Sequence, residues 1–98
     1  MRETMKNGVY QSMDDKGEVM LTITALGNNT YRAVNKFFDI TAEIIPLDEY
    51  RTQTRCIENK KADKNGRFRK SKTLAEHNTS WLCYMLEEKG FIRKSKAM

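Results

Sequence analysis

Apolar and polar residues alternate along the first half of the chain and recur at helical spacing near its end. Over residues 18–26, Val19, Leu21, Ile23 and Ala25 point one way and Met20, Thr22, Thr24 and Leu26 the other, which is the period of a pleated strand. Its β-branched residues favour the same conformation. Residues 8–13 read as a short first strand. Asp14-Asp15-Lys16-Gly17 joins the two, with Asp bonding its own backbone and Gly supplying positive φ. Gly27-Asn28-Asn29 reads as a tight reversal, because Gly and Asn tolerate the left-handed region. Residues 31–40 return as a third strand with Phe37 and Phe38 near its end. Up to this point the pattern predicts an antiparallel meander.

Residues 41–57 carry a mixed signal. Ala42-Glu43-Ile44-Ile45 fits a strand or a short turn, and Pro46 rules out uninterrupted helix across it. Residues 52–57 lean to strand. Asp63-Lys64-Asn65-Gly66 is a second strong turn, and Asn-Gly is the favoured pair for a two-residue hairpin. Residues 55–61 and 67–72 then become the arms of a basic hairpin. The periodicity predicts a helix over 73–89. Thr73-Leu74-Ala75-Glu76 has capping-box spacing, and Leu74, Asn78, Trp81, Leu82, Met85 and Leu86 form one largely apolar stripe. Lys89 suits the C-terminal end of the helix dipole and Gly90 is placed to stop the helix in the left-handed conformation. Phe91-Ile92 returns to the core, and 93–98 is read as a frayed tail.

A chain of 98 residues supports one core. The expectation is therefore a single α+β domain: an antiparallel three- to five-stranded sheet over 8–57, a basic hairpin or loop at 55–72, and one C-terminal helix at 73–89 packed on the sheet. A small, partly closed barrel with one helix is the alternative. With 39% hydrophobic residues and a mean hydropathy of −0.74, the core is expected to be thin. No stretch approaches the roughly 18 apolar residues of a membrane span, and the first residues lack the apolar run of a secretory signal. Cys56 and Cys83 are then read as reduced thiols in a cytoplasmic protein.

Charge adds the most. Residues 1–54 carry 6 basic and 8 acidic side chains, residues 55–72 carry 8 and 2, and residues 73–98 carry 4 and 3. One 18-residue segment thus holds more than the whole net charge of +5. Arg55, Lys60, Lys61, Lys64, Arg67, Arg69, Lys70 and Lys72 crowd the hairpin, where like charges facing each other across strands destabilise the pair. An anion offsets that repulsion, and a phosphate backbone supplies one with release of counterions. Phe68, between two arginines, is suited to stack on an unpaired base. A two-stranded ribbon is also a shape that enters a duplex major groove. The bland reading is a solvated loop whose lysines keep the chain in solution.

Enzymatic readings are thin. His77 is the sole histidine, and with Ser80, Trp81 and Tyr84 it reads as the rim where the apolar stripe meets solvent. Cys56, Cys83 and His77 lack the spacing of zinc ligands. Asp39, Glu43, Asp48 and Glu49 show no nuclease arrangement, and there is no glycine-rich phosphate loop. The sequence therefore predicts a non-enzymatic binding protein with no metal or cofactor, whose basic hairpin contacts nucleic acid or a nucleoprotein complex. The competing expectation is a protein-directed inhibitor or adaptor that uses Phe38, His77, Trp81 and Tyr84, with the same cations, against an acidic surface of a host protein. Its profile (short, basic, no cofactor motif) is that of small accessory proteins of phages and plasmids. Neither expectation involves a membrane.

Overall fold

The alternation at 18–26 sits near the middle of a larger sheet than the pattern suggested. The computed structural model describes residues 2–49, 51–72 and 75–92. They form seven strands, β1 (Arg2–Lys6), β2 (Val9–Met13), β3 (Val19–Gly27), β4 (Thr30–Val34), β5 (Phe38–Pro46), β6 (Thr52–Ala62) and β7 (Phe68–Lys70), followed by α1 (Ala75–Glu88). The class is α+β, but the sheet has seven strands rather than three to five. All pairings are antiparallel, and the order across the sheet is the order along the chain. β1 and β7 are the two edges, so the strands described form an open sheet and not the barrel considered above.

Two features account for the extra strands. Asn7 and Gly8 both have positive φ, 53° and 75°. That is the two-residue hairpin turn for which Asn-Gly is the preferred pair, and it adds β1 ahead of the strand read at 8–13. β6 is eleven residues long and pairs with β5 from Pro46↔Thr52 to Phe38↔Lys61. The segment 52–62 is thus an inner strand of the main sheet, and only β7 extends beyond it.

Strand alternation sorts the side chains onto two faces. Tyr10, Leu21, Ile23, Ala33, Ile40, Ala42 and Ile44 share the face that α1 covers, and Leu82 and Leu86 come down on them fully buried. Burying a leucine of this kind stabilises by about 1.5–3 kcal/mol. Asn78 lies in the helical stripe for a polar reason: its amide donates to Asn59 Oδ1 at 3.1 Å, while Asn59 Nδ2 donates to the Ser71 carbonyl at 3.0 Å. Asn59 is 6% exposed, so this small network ties the start of the helix to β6 and to the residue after β7.

The helix ends at Gly90, whose φ is +81°. The Gly90 amide donates to the Glu87 carbonyl at 3.2 Å and the Phe91 amide to the Leu86 carbonyl at 2.9 Å. These paired bonds satisfy two carbonyls the helix would otherwise leave open. They also turn Phe91 back against Tyr31, with ring centroids 5.9 Å apart. Lys89 reaches past the helix end to β1, with Nζ 3.0 Å from Glu3 Oε1 and 5.0 Å from the Tyr10 ring centroid. Thr73 and Leu74, half of the predicted capping box, and the tail 93–98 lie outside the described residues. No helix among the described residues is long and apolar enough to cross a membrane.

Candidate nucleic-acid interface

The β6–β7 connection is built around Asp63. Its Oδ1 accepts the amides of Asn65 (2.9 Å) and Arg67 (3.0 Å), and its backbone amide donates to the Arg67 carbonyl at 2.8 Å. These bonds make a five-residue loop, 63–67, in which Gly66 alone has positive φ, at +80°. The two-residue Asn65-Gly66 turn expected from the dipeptide does not form, because the Asp63 carboxylate holds a wider loop closed. The Arg67 amide, more than any other group, keeps that carboxyl below the usual carboxylate range, with help from the Arg69 guanidinium and the Asn65 amide.

The loop sets the register of the cations. Lys60 stands opposite Lys70, Lys61 opposite Arg69, and Ala62 opposite Phe68. One like-charge pair therefore lies on each face of the hairpin. Some of the charge is answered locally. Lys60 Nζ lies 2.8 Å from Glu58 Oε1, Arg69 Nε 3.1 Å from Asp63 Oδ2, and Arg55 Nη2 2.8 Å from Glu43 Oε1. The Lys60 ammonium, through its hydrogen bond and then its charge, lowers the Glu58 carboxyl, and Glu58 raises Lys60 in return. Lys61, Lys64, Arg67, Lys70 and Lys72 form no ion pair among the described residues. Among the described residues, three cations of the predicted hairpin set hold an ion pair and five do not.

Phe68 is 38% exposed at the edge strand. The predicted partner set of the competing reading is divided. Phe38 and Trp81 pack edge to face with ring centroids 5.3 Å apart, as part of the contact between α1 and the sheet. His77 is exposed, and Tyr84 is 59% exposed on the outer side of the helix. A second aromatic that faces solvent beside the sheet is Phe37, at 63% exposure, with Lys36 Nζ 5.3 Å from its ring centroid. Sequence reasoning selected its neighbour Phe38. The signal for the correct assignment was present: Phe38, Ile40, Ala42 and Ile44 alternate with Asp39, Thr41 and Glu43, so the inward parity begins at Phe38. Asn35 fixes that start, its Oδ1 accepting the amides of Phe37 at 2.8 Å and Phe38 at 2.9 Å.

The face opposite α1 carries polar and charged contacts beside apolar side chains. Arg32 binds Asp39 with two hydrogen bonds, of 2.9 and 2.6 Å, and Gln11 donates to Thr22 at 3.3 Å. On the helix side, Thr54, Cys56, Glu76, Thr79 and Ser80 line a cleft between β6 and α1. Both cysteines are free, and burial raises the Cys83 thiol. Among the described residues no three of His, Cys, Asp and Glu are grouped to hold a metal ion. In comparisons with known proteins, no family model, no curated protein and no solved structure matches this chain.

Proposed function

We propose that the protein is a non-enzymatic binding protein whose β6–β7 hairpin docks on nucleic acid, free or within a nucleoprotein complex. The observation that carries this reading is the pair of like-charge rungs, Lys60↔Lys70 and Lys61↔Arg69, in a ladder only three rungs long. Like charges directly opposite one another weaken a strand pair. The nearby carboxylates Glu58 and Asp63 relieve one cation each. Lys61, Lys64, Arg67 and Lys70 are left at the tip and edge of the sheet, where a chain of phosphates offsets several of them at once and releases its counterions.

The test is fluorescence anisotropy with labelled DNA and RNA across a salt titration. Lys61→Glu, Lys64→Glu, Arg67→Glu and Lys70→Glu combined spare every cation that holds an internal ion pair. The combined variant is expected to lose binding, and single variants to flatten the log–log salt slope by about 0.7–0.9 per phosphate contact removed. Binding that ignores salt, or survives the fourfold reversal, rejects the proposal. A protein-directed inhibitor or adaptor is the second reading in rank, because Phe38 and Trp81 are engaged with each other. A tagged copy that retained one polypeptide after nuclease treatment, and no nucleic acid before it, would reverse that ranking.

A further inference from the structure

The face of the sheet turned away from α1 ends, beside the hairpin, in a row of three apolar residues. The Ala62 amide donates to the Phe37 carbonyl at 2.8 Å, and Ala62 is the cross-strand partner of Phe68. Phe37, Ala62 and Phe68 thus lie side by side on three adjacent chain segments. The two phenylalanines are separated by two inter-strand spacings, about 10 Å. Phe37 is 63% and Phe68 38% exposed, with only the small Ala62 between them. The next rung along the sheet is Asp39, Lys60 and Lys70. The carboxylates nearby are occupied: Asp39 by Arg32, and Glu58 by Lys60. Lys36 and Lys70 flank the row on this face, and Lys64 and Arg67 belong to the adjoining 63–67 loop, none of them in an ion pair among the described residues.

We infer that this open face takes single-stranded nucleic acid, its bases stacked on Phe37 and Phe68 and its phosphates set against the surrounding cations. The inference rests on the proposed nucleic-acid function and narrows it to one form of the ligand. Two aromatic rings in a cationic rim match a strand whose base faces are free, since every base offers a π-face and stacking tolerates any sequence. A duplex keeps those faces inside its own stack. The duplex alternative, a ribbon entering the major groove, needs two strands that project together. Here β6 is paired along most of its length with β5, so among the described residues this hairpin projects beyond β5 only as the 63–67 loop and the three residues of β7.

The decisive experiment compares a labelled single-stranded oligonucleotide of mixed sequence with the same strand annealed to its complement. The single strand is expected to bind more tightly. Phe37→Ala and Phe68→Ala are each expected to weaken single-strand affinity by roughly 5- to 100-fold while leaving the salt slope unchanged, and Phe37→Tyr to retain most of it. Melting curves of both alanine variants confirm that the fold is intact. Equal or tighter duplex binding, or alanine variants that bind the single strand like the parent protein, overturns the stacking inference while the polyanion reading stands. Absence of binding to either form at low salt overturns both.

Discussion

On the helix side of the sheet, Phe38 meets Trp81 at 5.3 Å and Ile40 is fully withdrawn from solvent. One residue along the chain on the other side, Phe37 stands 63% exposed, and Asp39 is reached by the Arg32 guanidinium at 2.6 Å. The same strands build both faces. The covered face is held by apolar contact and one buried amide network, and the open face by charges that neutralise one another in sight of water. Stability is therefore concentrated on the first, while Phe37, Phe68 and Lys70 stand exposed on the second. Among the described residues no buried side-chain polar atom lacks a hydrogen-bond partner, so the covered face leaves little chemistry unspent.

Substitutions across the two faces should separate these roles. Leu82→Ala opens a cavity against Ile23 and Ile40 and is expected to cost about 2–5 kcal/mol in urea denaturation; a loss below 1 kcal/mol would mean that α1 is not seated on the sheet. Phe38→Ala removes the half-buried ring under Trp81 and should cost about 2 kcal/mol or more. Asn59→Ala removes the acceptor of the half-buried Asn78 and the side-chain donor to the Ser71 carbonyl, with an expected loss of about 1–3 kcal/mol. On the open face, Asp39→Asn weakens a doubly hydrogen-bonded pair whose carboxylate is buried and whose arginine is half in water, so about 1–3 kcal/mol is expected. Phe37→Ala should leave stability within about 0.5 kcal/mol, and a larger drop would place Phe37 in the core and out of the interface.

Acid sharpens the comparison from another side. Hydrogen bonds from Tyr10, then from Lys89, lower the Glu3 carboxyl, and the Lys60 ammonium lowers Glu58. A carboxyl lowered in the folded state binds its proton more readily when unfolded. Its contribution is thus present above the unfolded value and is lost as the pH falls through the folded one. Glu3 is exposed and Glu58 only half-buried, so the expected effect is a modest decline in melting temperature below about pH 4. The decline should shrink in Glu3→Gln. An unchanged acid profile in that variant would show that the Glu3 clasp between β1 and the helix end does not form in solution.

The sequence disclosed the parts of this fold whose burial is one-sided and regular. β3 alternates cleanly, and the helix shows its stripe through Leu82 and Leu86 because one face meets a core and the other meets water. β1 gave no such sign, since all five residues, Arg2 to Lys6, are exposed. Its only signal was Asn7-Gly8, the same favoured hairpin pair that stands out at Asn65-Gly66. β5 was legible but was divided at residue 40, which hid the continuous Phe38–Ile44 alternation and with it the identity of the outward phenylalanine. β6 reads as polar on both faces because its helix-side positions, Thr54, Cys56 and Asn59, meet the start of α1 through hydroxyl, thiol and amide groups. For the candidate site, the crowd of cations was visible from composition. Which of them are already paired depends on register, and register here follows from where Asp63 closes its loop.

Strand order that repeats chain order has a consequence for synthesis. Each strand finds its neighbour as soon as it leaves the ribosome, and no pairing waits for a distant segment, which favours rapid zippering from the N-terminal hairpin onward. The lid comes last: α1 follows all seven strands, so the surface around Ile23 and Ile40 stays bare until translation has passed residue 88. During that interval the nascent sheet is a sticky plate, and a chain halted before the helix would be a substrate for chaperones or a seed for aggregates.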